Sequence, residues 1–195
     1  MRVRVQGPPE LLAMLRAHEL DFAVIDARYA ADAGDLRVEP LGLLEAGLFV
    51  RAGHPLLKQK TVRMADLAAF GLASGVLPPA VRRTVLRLMR LGEADELPFA
   101  VECNDMSALK GVALATDAVM AGIVPQHEAA ASGLRALVVS DLPDGIAEVQ
   151  AAIVSLHGRS FSPVSVRTIE ALRALVAERP AKRATSASRK RTSAP

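Results

Sequence analysis

Short apolar runs alternate with helical stripes along most of the chain, and this alternation restricts the fold more than any other feature. Residues 22–25 (FAVI) and 99–101 (FAV) are brief apolar runs bounded by polar residues. Residues 106–116 instead carry apolar side chains at helical spacing, behind an Asn-Asp pair that suits a helix cap. Strands that alternate with helices in this way indicate an α/β fold with doubly wound lobes.

The first 25 residues predict a β-α-β unit. Val3 and Val5 alternate with polar residues, which is the period of a half-buried strand. Pro8 then suits the first turn of a helix, and residues 22–25 suit a buried strand of a parallel sheet. We predict further strands at residues 41–50, 70–73, 99–101, 118–125, 137–139 and 148–156, and further helices at 80–91, 106–116, 127–132 and 161–178.

The charge of the chain is unevenly distributed. The net charge is +3, but residues 179–195 hold six basic and no acidic residues, which leaves −3 for residues 1–178. The body therefore lacks the basic excess expected of a DNA-binding domain. Aromatic residues are only 3% of the chain, which excludes a ladder of rings for single-stranded bases and argues against a large aromatic ligand.

The basic segment 179–195 has a disordered composition and two interpretations. It is either a solvated end without a partner or an arm that contacts phosphates non-specifically. The single cysteine, Cys103, excludes an internal disulfide and fits a reducing compartment. The chain has no apolar stretch long enough to span a membrane and opens without a signal peptide, so we predict a cytoplasmic protein without membrane contact.

Five segments together resemble a known family. They are residues 11–24, 50–56 (VRAGHPL), 62–67 (VRMADL), 109–125 and 161–172 (FSPVSVRTIEAL). Their order and spacing over residues 3–176 resemble the effector-binding domain of LysR-type bacterial transcriptional regulators. Residues 114–123 depart from the family pattern at a helix-to-strand turn. Relative to the family, this sequence lacks the DNA-binding helix-turn-helix, the linker helix and the first strand and helix of the effector domain.

The resemblance implies a two-lobed α/β fold like that of type 2 periplasmic binding proteins, with an incomplete first lobe. Residues 1–52 and 140–178 would form lobe I, residues 53–139 lobe II, and 179–195 a disordered basic tail. A small-molecule effector would bind between the lobes. The resemblance also implies a homo- or hetero-oligomer formed through the effector domain. DNA would be bound by a full-length parent protein, and by this chain at most non-specifically through its tail.

Ligands in such clefts are held by helix N-termini and by loop backbones at strand ends. The candidate effector-binding residues are Gly7 and Pro8, Asp26 and Arg28, Ser74 and Gly75, and Asn104, Asp105 and Met106. Free N–H groups there suit a carboxylate or similar anion, although Asp105 would repel one. The competing interpretations are that Asn104 or Asp105 is only a helix cap, and that Asp26 and Arg28 belong to a solvated loop.

We find no pattern that indicates catalysis. The four histidines are scattered without metal-ligand spacing, and His54 before Pro55 suits a turn. No nucleophile–base set or phosphate-binding loop occurs, so we predict a non-enzymatic protein without cofactor or metal. Three alternatives stay open: a stand-alone solute-binding protein, an enzyme such as a deaminase or lyase on a similar scaffold, and a non-functional remnant of a truncated regulator.

Overall fold

The computed structural model describes residues 2–177, apart from the side chains of residues 126, 127 and 177. Within this part, eight strands form two sheets. The strands are β1 (Ala23–Asp26), β2 (Leu36–Glu45), β3 (Gly47–Arg51), β4 (Leu72–Ser74), β5 (Phe99–Glu102), β6 (Val119–Gly122), β7 (Leu134–Ala136) and β8 (Glu148–Leu156). The α-helices are α1 (Pro8–Arg16), α2 (Pro79–Leu88), α3 (Met106–Ala115), α4 (Gln126–Ala131) and α5 (Pro163–Ala177). Three 3-10 turns cover Ala27–Tyr29, Pro55–Lys58 and Met64–Ala69.

The smaller sheet has the order β1-β8-β2, and β8 is antiparallel to both neighbours. Helix α1 covers one face through buried leucines such as Leu15, which pack with Ile25 and Val154. Helix α5 contacts β2, and its Ile169 is buried. At the start of α5, the Ser162 Oγ accepts the Ser165 N–H at 3.2 Å and caps the helix. We call this sheet with α1 and α5 the first lobe.

The larger sheet has the order β5-β4-β6-β3-β7. Its strands β5, β4 and β6 are parallel, whereas β3 is antiparallel to β6 and β7. Neighbouring residues of β6 point to opposite faces, so Val119 belongs to one core cluster and Met120 to another. Both faces are therefore buried, as expected for a sheet of parallel strands. We call this sheet with α2, α3 and α4 the second lobe.

The chain crosses between the sheets at two adjacent points. The first crossing is Ala46, between β2 and β3, and the second is the segment that leads into β8. The Ala46 N–H donates to the Ala147 carbonyl at 2.7 Å, which joins the two crossings. We predicted a first lobe that reaches residue 52, but β3 already belongs to the larger sheet. The chain therefore passes from the smaller to the larger sheet at Ala46, before the predicted lobe boundary at residue 52.

Three sequence predictions of secondary structure are wrong. The segment around Val3 and Val5 is not a strand, and these side chains are 70% and 82% exposed. Alternation favours a strand only where a neighbouring strand pairs with it, and residues 2–6 have none in the described chain. The predicted β-α-β unit is therefore not formed, and β1 pairs antiparallel with β8. The strand predicted at residues 137–139 lies instead at Leu134–Ala136.

No helix among residues 2–177 has both the length and the hydropathy needed to cross a membrane. The predicted basic tail, residues 179–195, lies outside the described residues.

Candidate functional site

Asn104 lies between two glycines that belong to different lobes. Gly75 follows β4 and Asn104 follows β5, and parallel strands bring these two loops to one edge of the larger sheet. Gly7 precedes α1 in the first lobe. A Cβ atom on Gly7 would lie 2.7 Å from Asn104 Nδ2, and one on Gly75 would lie 3.3 Å from Asn104 Oδ1. The structure thus brings three predicted site residues together between the lobes.

Tyr29 forms a second contact between the lobes. Its hydroxyl donates to the backbone carbonyl of Val76, the residue after Gly75. Burial raises the pKa of Tyr29 to about 12, and the negative charges of Asp26 and Glu102 act in the same direction. The phenol therefore keeps its proton and remains a donor at neutral pH. Sequence reasoning missed Tyr29, although it is the only tyrosine of the chain and follows β1 closely.

Asp26 and Arg28 bind each other at the carboxyl end of β1. The Arg28 Nη2 lies 2.6 Å from Asp26 Oδ2, and Asp26 Oδ1 also accepts the Arg28 backbone N–H at 3.0 Å. The Arg28 Nη1 donates to the Ile146 carbonyl at 3.3 Å, on the second crossing. These contacts fix the strand end against the crossing segment. Direct contact of either side chain with a ligand stays a prediction.

Asp105 caps helix α3, as the competing interpretation proposed. Its Oδ1 accepts the N–H groups of Ser107 at 2.8 Å and Ala108 at 3.2 Å. Two of the free donors at this helix start are therefore occupied by the chain's own carboxylate. Met106 beside it is 41% exposed, and its thioether packs against Gly122.

The start of α1 offers few donors to an anion. Pro8 and Pro9 lack N–H groups, and Gly7, the N-cap residue of α1, makes no side-chain cap. The Glu10 carboxylate in the first turn lies close to Gly7. The expected preference of these helix starts for a carboxylate ligand is thus not supported by their contacts.

Ser74 ends β4 and is only 2% exposed. Its hydroxyl donates to the Gly75 carbonyl at 3.0 Å, so the side chain supports the loop that carries Gly75. Among the described residues, no group of three His, Cys, Asp or Glu side chains is arranged to hold a metal ion.

The chain matches the sequence model of the LysR substrate binding domain over residues 1–178. The SDS degradation transcriptional activation protein of Pseudomonas sp. (strain ATCC 19151) is 33% identical over 168 residues, which cover 84% of this chain and 52% of that protein. The chain therefore spans about half the length of this curated relative.

Solved structures agree with the predicted fold class. The effector binding domain of QuiR in complex with shikimate has a TM-score of 0.66 at 14% identity, over 86% of this chain and 76% of that one. The regulatory domain of Synechocystis PCC6803 CcmR in complex with 2-PG also gives 0.66, at 16% identity, over 90% and 82%. These likenesses confirm the predicted fold class, a two-lobed α/β architecture.

Proposed function

Because the chain belongs to the LysR substrate binding domain family, we propose that it senses a small-molecule effector between its two lobes. The family is a regulatory one and not a family of enzymes. In this proposal, ligand binding shifts the balance between open and closed lobes, and that shift is the signal to the rest of a regulator. A ligand achieves this only through different affinities for the two arrangements.

The proposal depends on one observation, which is the close approach of Gly7, Gly75 and Asn104 between the lobes. Glycine leaves the backbone open to close approach, and here one glycine from each lobe faces the same amide. Asn104 supplies both a donor and an acceptor at this point. A ligand between the lobes would therefore find polar backbone and a side-chain amide within reach, and would bridge the lobes as Tyr29 now does.

The charges around this site favour an uncharged, hydrogen-bonding ligand or a small cation. Glu10 and Asp105 flank Gly7 and Asn104, and Glu102 lies near Tyr29. Arg28, next to Tyr29, is paired with Asp26 and donates to the Ile146 carbonyl. An anion at this site would meet the three carboxylates, at a cost that grows as water is excluded.

Full-length LysR-type regulators bind small-molecule effectors and DNA. For this chain, we propose pairing with copies of itself or with full-length regulators through the effector domain, in the cytoplasm. Its own contact with DNA would be non-specific and limited to the basic tail, and a salt-dependent gel shift that persists after deletion of residues 179–195 would contradict this.

Thermal shift with a panel of polyols, amines and carboxylates tests the proposal on the full chain. We expect an uncharged or cationic compound to raise the midpoint in the wild type. Asn104→Ala should weaken that compound about tenfold or more, because it removes the donor and the acceptor that the amide would offer to the ligand. Gln59→Ala, at the exposed end of the 55–58 turn, is the matched amide control and should bind like the wild type. Equal binding by both variants would contradict a site at Asn104.

A further inference from the structure

An open cavity of about 860 Å³ lies on the first lobe, at the opposite end of α1 from Gly7. We call it the outer cavity. Side chains from three separate segments line it. They are Arg16 and His18 at the end of α1, Asp35 before β2, and His157 and Arg159 in the turn after β8. Residues separated by about 140 positions in sequence thus converge on one depression.

The two arginines are held in place by carboxylates. Arg16 donates from Nε and Nη2 to Asp35, at 2.7 and 3.1 Å. Arg159 donates from Nη2 to Asp21 at 2.8 Å, and its Nη1 lies 3.2 Å from His18 Nδ1. A guanidinium has five N–H donors, so each arginine keeps donors that these contacts do not use.

Two guanidinium groups and one carboxylate line the outer cavity, Arg16, Arg159 and Asp35, so their charges (+2 and −1) sum to +1. Asp21, the partner of Arg159, is not part of the lining. The hydrogen bonds from Arg16 hold the pKa of Asp35 below its usual value, and His157 acts in the same direction. Asp35 therefore stays ionised at neutral pH.

We propose that the outer cavity binds a small tetrahedral oxyanion, such as sulfate, phosphate or the phosphate of a monoester. Guanidinium N–H groups match the oxygens of such anions, and two guanidinium groups, each with donors that its carboxylate does not use, flank this cavity. All the lining residues belong to the first lobe, so binding here does not require the lobes to approach each other. The site is thus separate from the effector site proposed at Asn104.

Sulfate is the first probe, because it is a dianion at neutral pH. Calorimetric titration of the full chain at constant ionic strength should give saturable binding to one site, and the C2 proton signals of His18 and His157, which line the cavity, should shift with occupancy. Binding that does not saturate, or that leaves these signals unchanged, would overturn the proposal.

Three variants locate the site. Arg16→Gln should weaken sulfate about tenfold, the size of one charge-assisted hydrogen bond. His18→Asn should weaken sulfate less than Arg16→Gln does, because it changes only a neighbour of Arg159, and asparagine tolerates the positive φ of 59° found there. Arg173→Gln on α5, also paired with a carboxylate and half exposed, is the control and should bind normally. An equal loss of sulfate affinity in the control variant would indicate only diffuse electrostatic attraction and would contradict the proposal.

Inorganic phosphate and a twelve-base-pair DNA duplex complete the test, since both present the same chemical group. Phosphate should compete with sulfate. A duplex that binds at the same arginines while neither small anion binds would overturn the small-ligand proposal in favour of a nucleic acid backbone. Failure at this site leaves the result at Asn104 unaffected, because the two sets of variants share no residue.

Discussion

In the second lobe, His54 is fully buried and both of its ring nitrogens are hydrogen-bonded, whereas His18 and His157 of the first lobe are exposed on the outer cavity. The Nδ1 of His54 accepts the Leu56 N–H at 3.1 Å, and its Nε2 donates to the Asp117 carbonyl at 2.8 Å. The comparison teaches that a polar side chain is available for a ligand only where it is exposed and keeps donors or acceptors that the fold does not use.

Replacing the buried histidine gives the largest expected effect. His54→Ala removes a ring that packs 4.8 Å from Phe70 and leaves two backbone groups without partners. We expect a loss of about 3 kcal/mol in the free energy of unfolding, measured in urea. His157→Ala should change it by less than about 0.5 kcal/mol. Similar losses of unfolding free energy in both variants would contradict the distinction between the buried His54 and the exposed His157.

Substitutions of Asp105 test whether this polar residue near the cleft stabilises helix α3 as its cap. Asp105→Ala should cost about 1 kcal/mol of unfolding free energy, because α3 loses its cap. Asp105→Asn keeps a capping oxygen and should restore most of this stability. If the asparagine variant is as unstable as the alanine variant, the charge of Asp105 and not its capping role stabilises the helix.

Tyr29→Phe removes the hydrogen bond to Val76 that joins the lobes. If the closed arrangement loses about 1 kcal/mol of free energy relative to the open one, the ratio of open to closed molecules rises roughly fivefold. Small-angle scattering should then show a larger radius of gyration for the unliganded variant. An unchanged radius would show that the Tyr29 contact does not hold the lobes together.

The raised pKa of Tyr29 also predicts a dependence on alkaline pH. An unfolded tyrosine loses its proton near pH 10, while the folded residue keeps it until about 12. The stabilisation is therefore complete below pH 10 and is lost as the pH rises through 12. Tyr29→Phe should lack this loss in denaturant titrations, and equal pH slopes in the two proteins would contradict the assignment.

The smallest effect concerns the exposed pair of the outer cavity. The hydrogen bonds from Arg16 lower the pKa of Asp35 in the folded protein. The stability that this pair contributes is therefore complete above the pKa of an ordinary carboxyl group, and it is lost as the pH falls through the lowered pKa of Asp35. In Arg16→Gln, the pKa of Asp35 should return toward its ordinary value, as followed by carbonyl NMR. An unchanged titration would show that the pair is not formed in solution.

The sequence predicted those elements whose signals are local. Helix α3 was predicted behind its Asn-Asp cap, and β8 has the bounds of the strand predicted at residues 148–156. The strand at Val3 was wrong because alternation does not reveal whether a pairing strand exists. Tyr29 was missed because its contact depends on how the lobes approach, and the outer cavity because its residues are far apart in sequence.

The paired crossings at Ala46 and Ala147 have a mechanical consequence. We expect two chain segments that are joined by a hydrogen bond to resist twisting of one lobe against the other more than bending about their common line. Lobe movement would then be mainly a change of one angle. A single pair of fluorophores, one on each lobe, would suffice to read the state of the domain, and any structure attached to it would receive a signal with one degree of freedom.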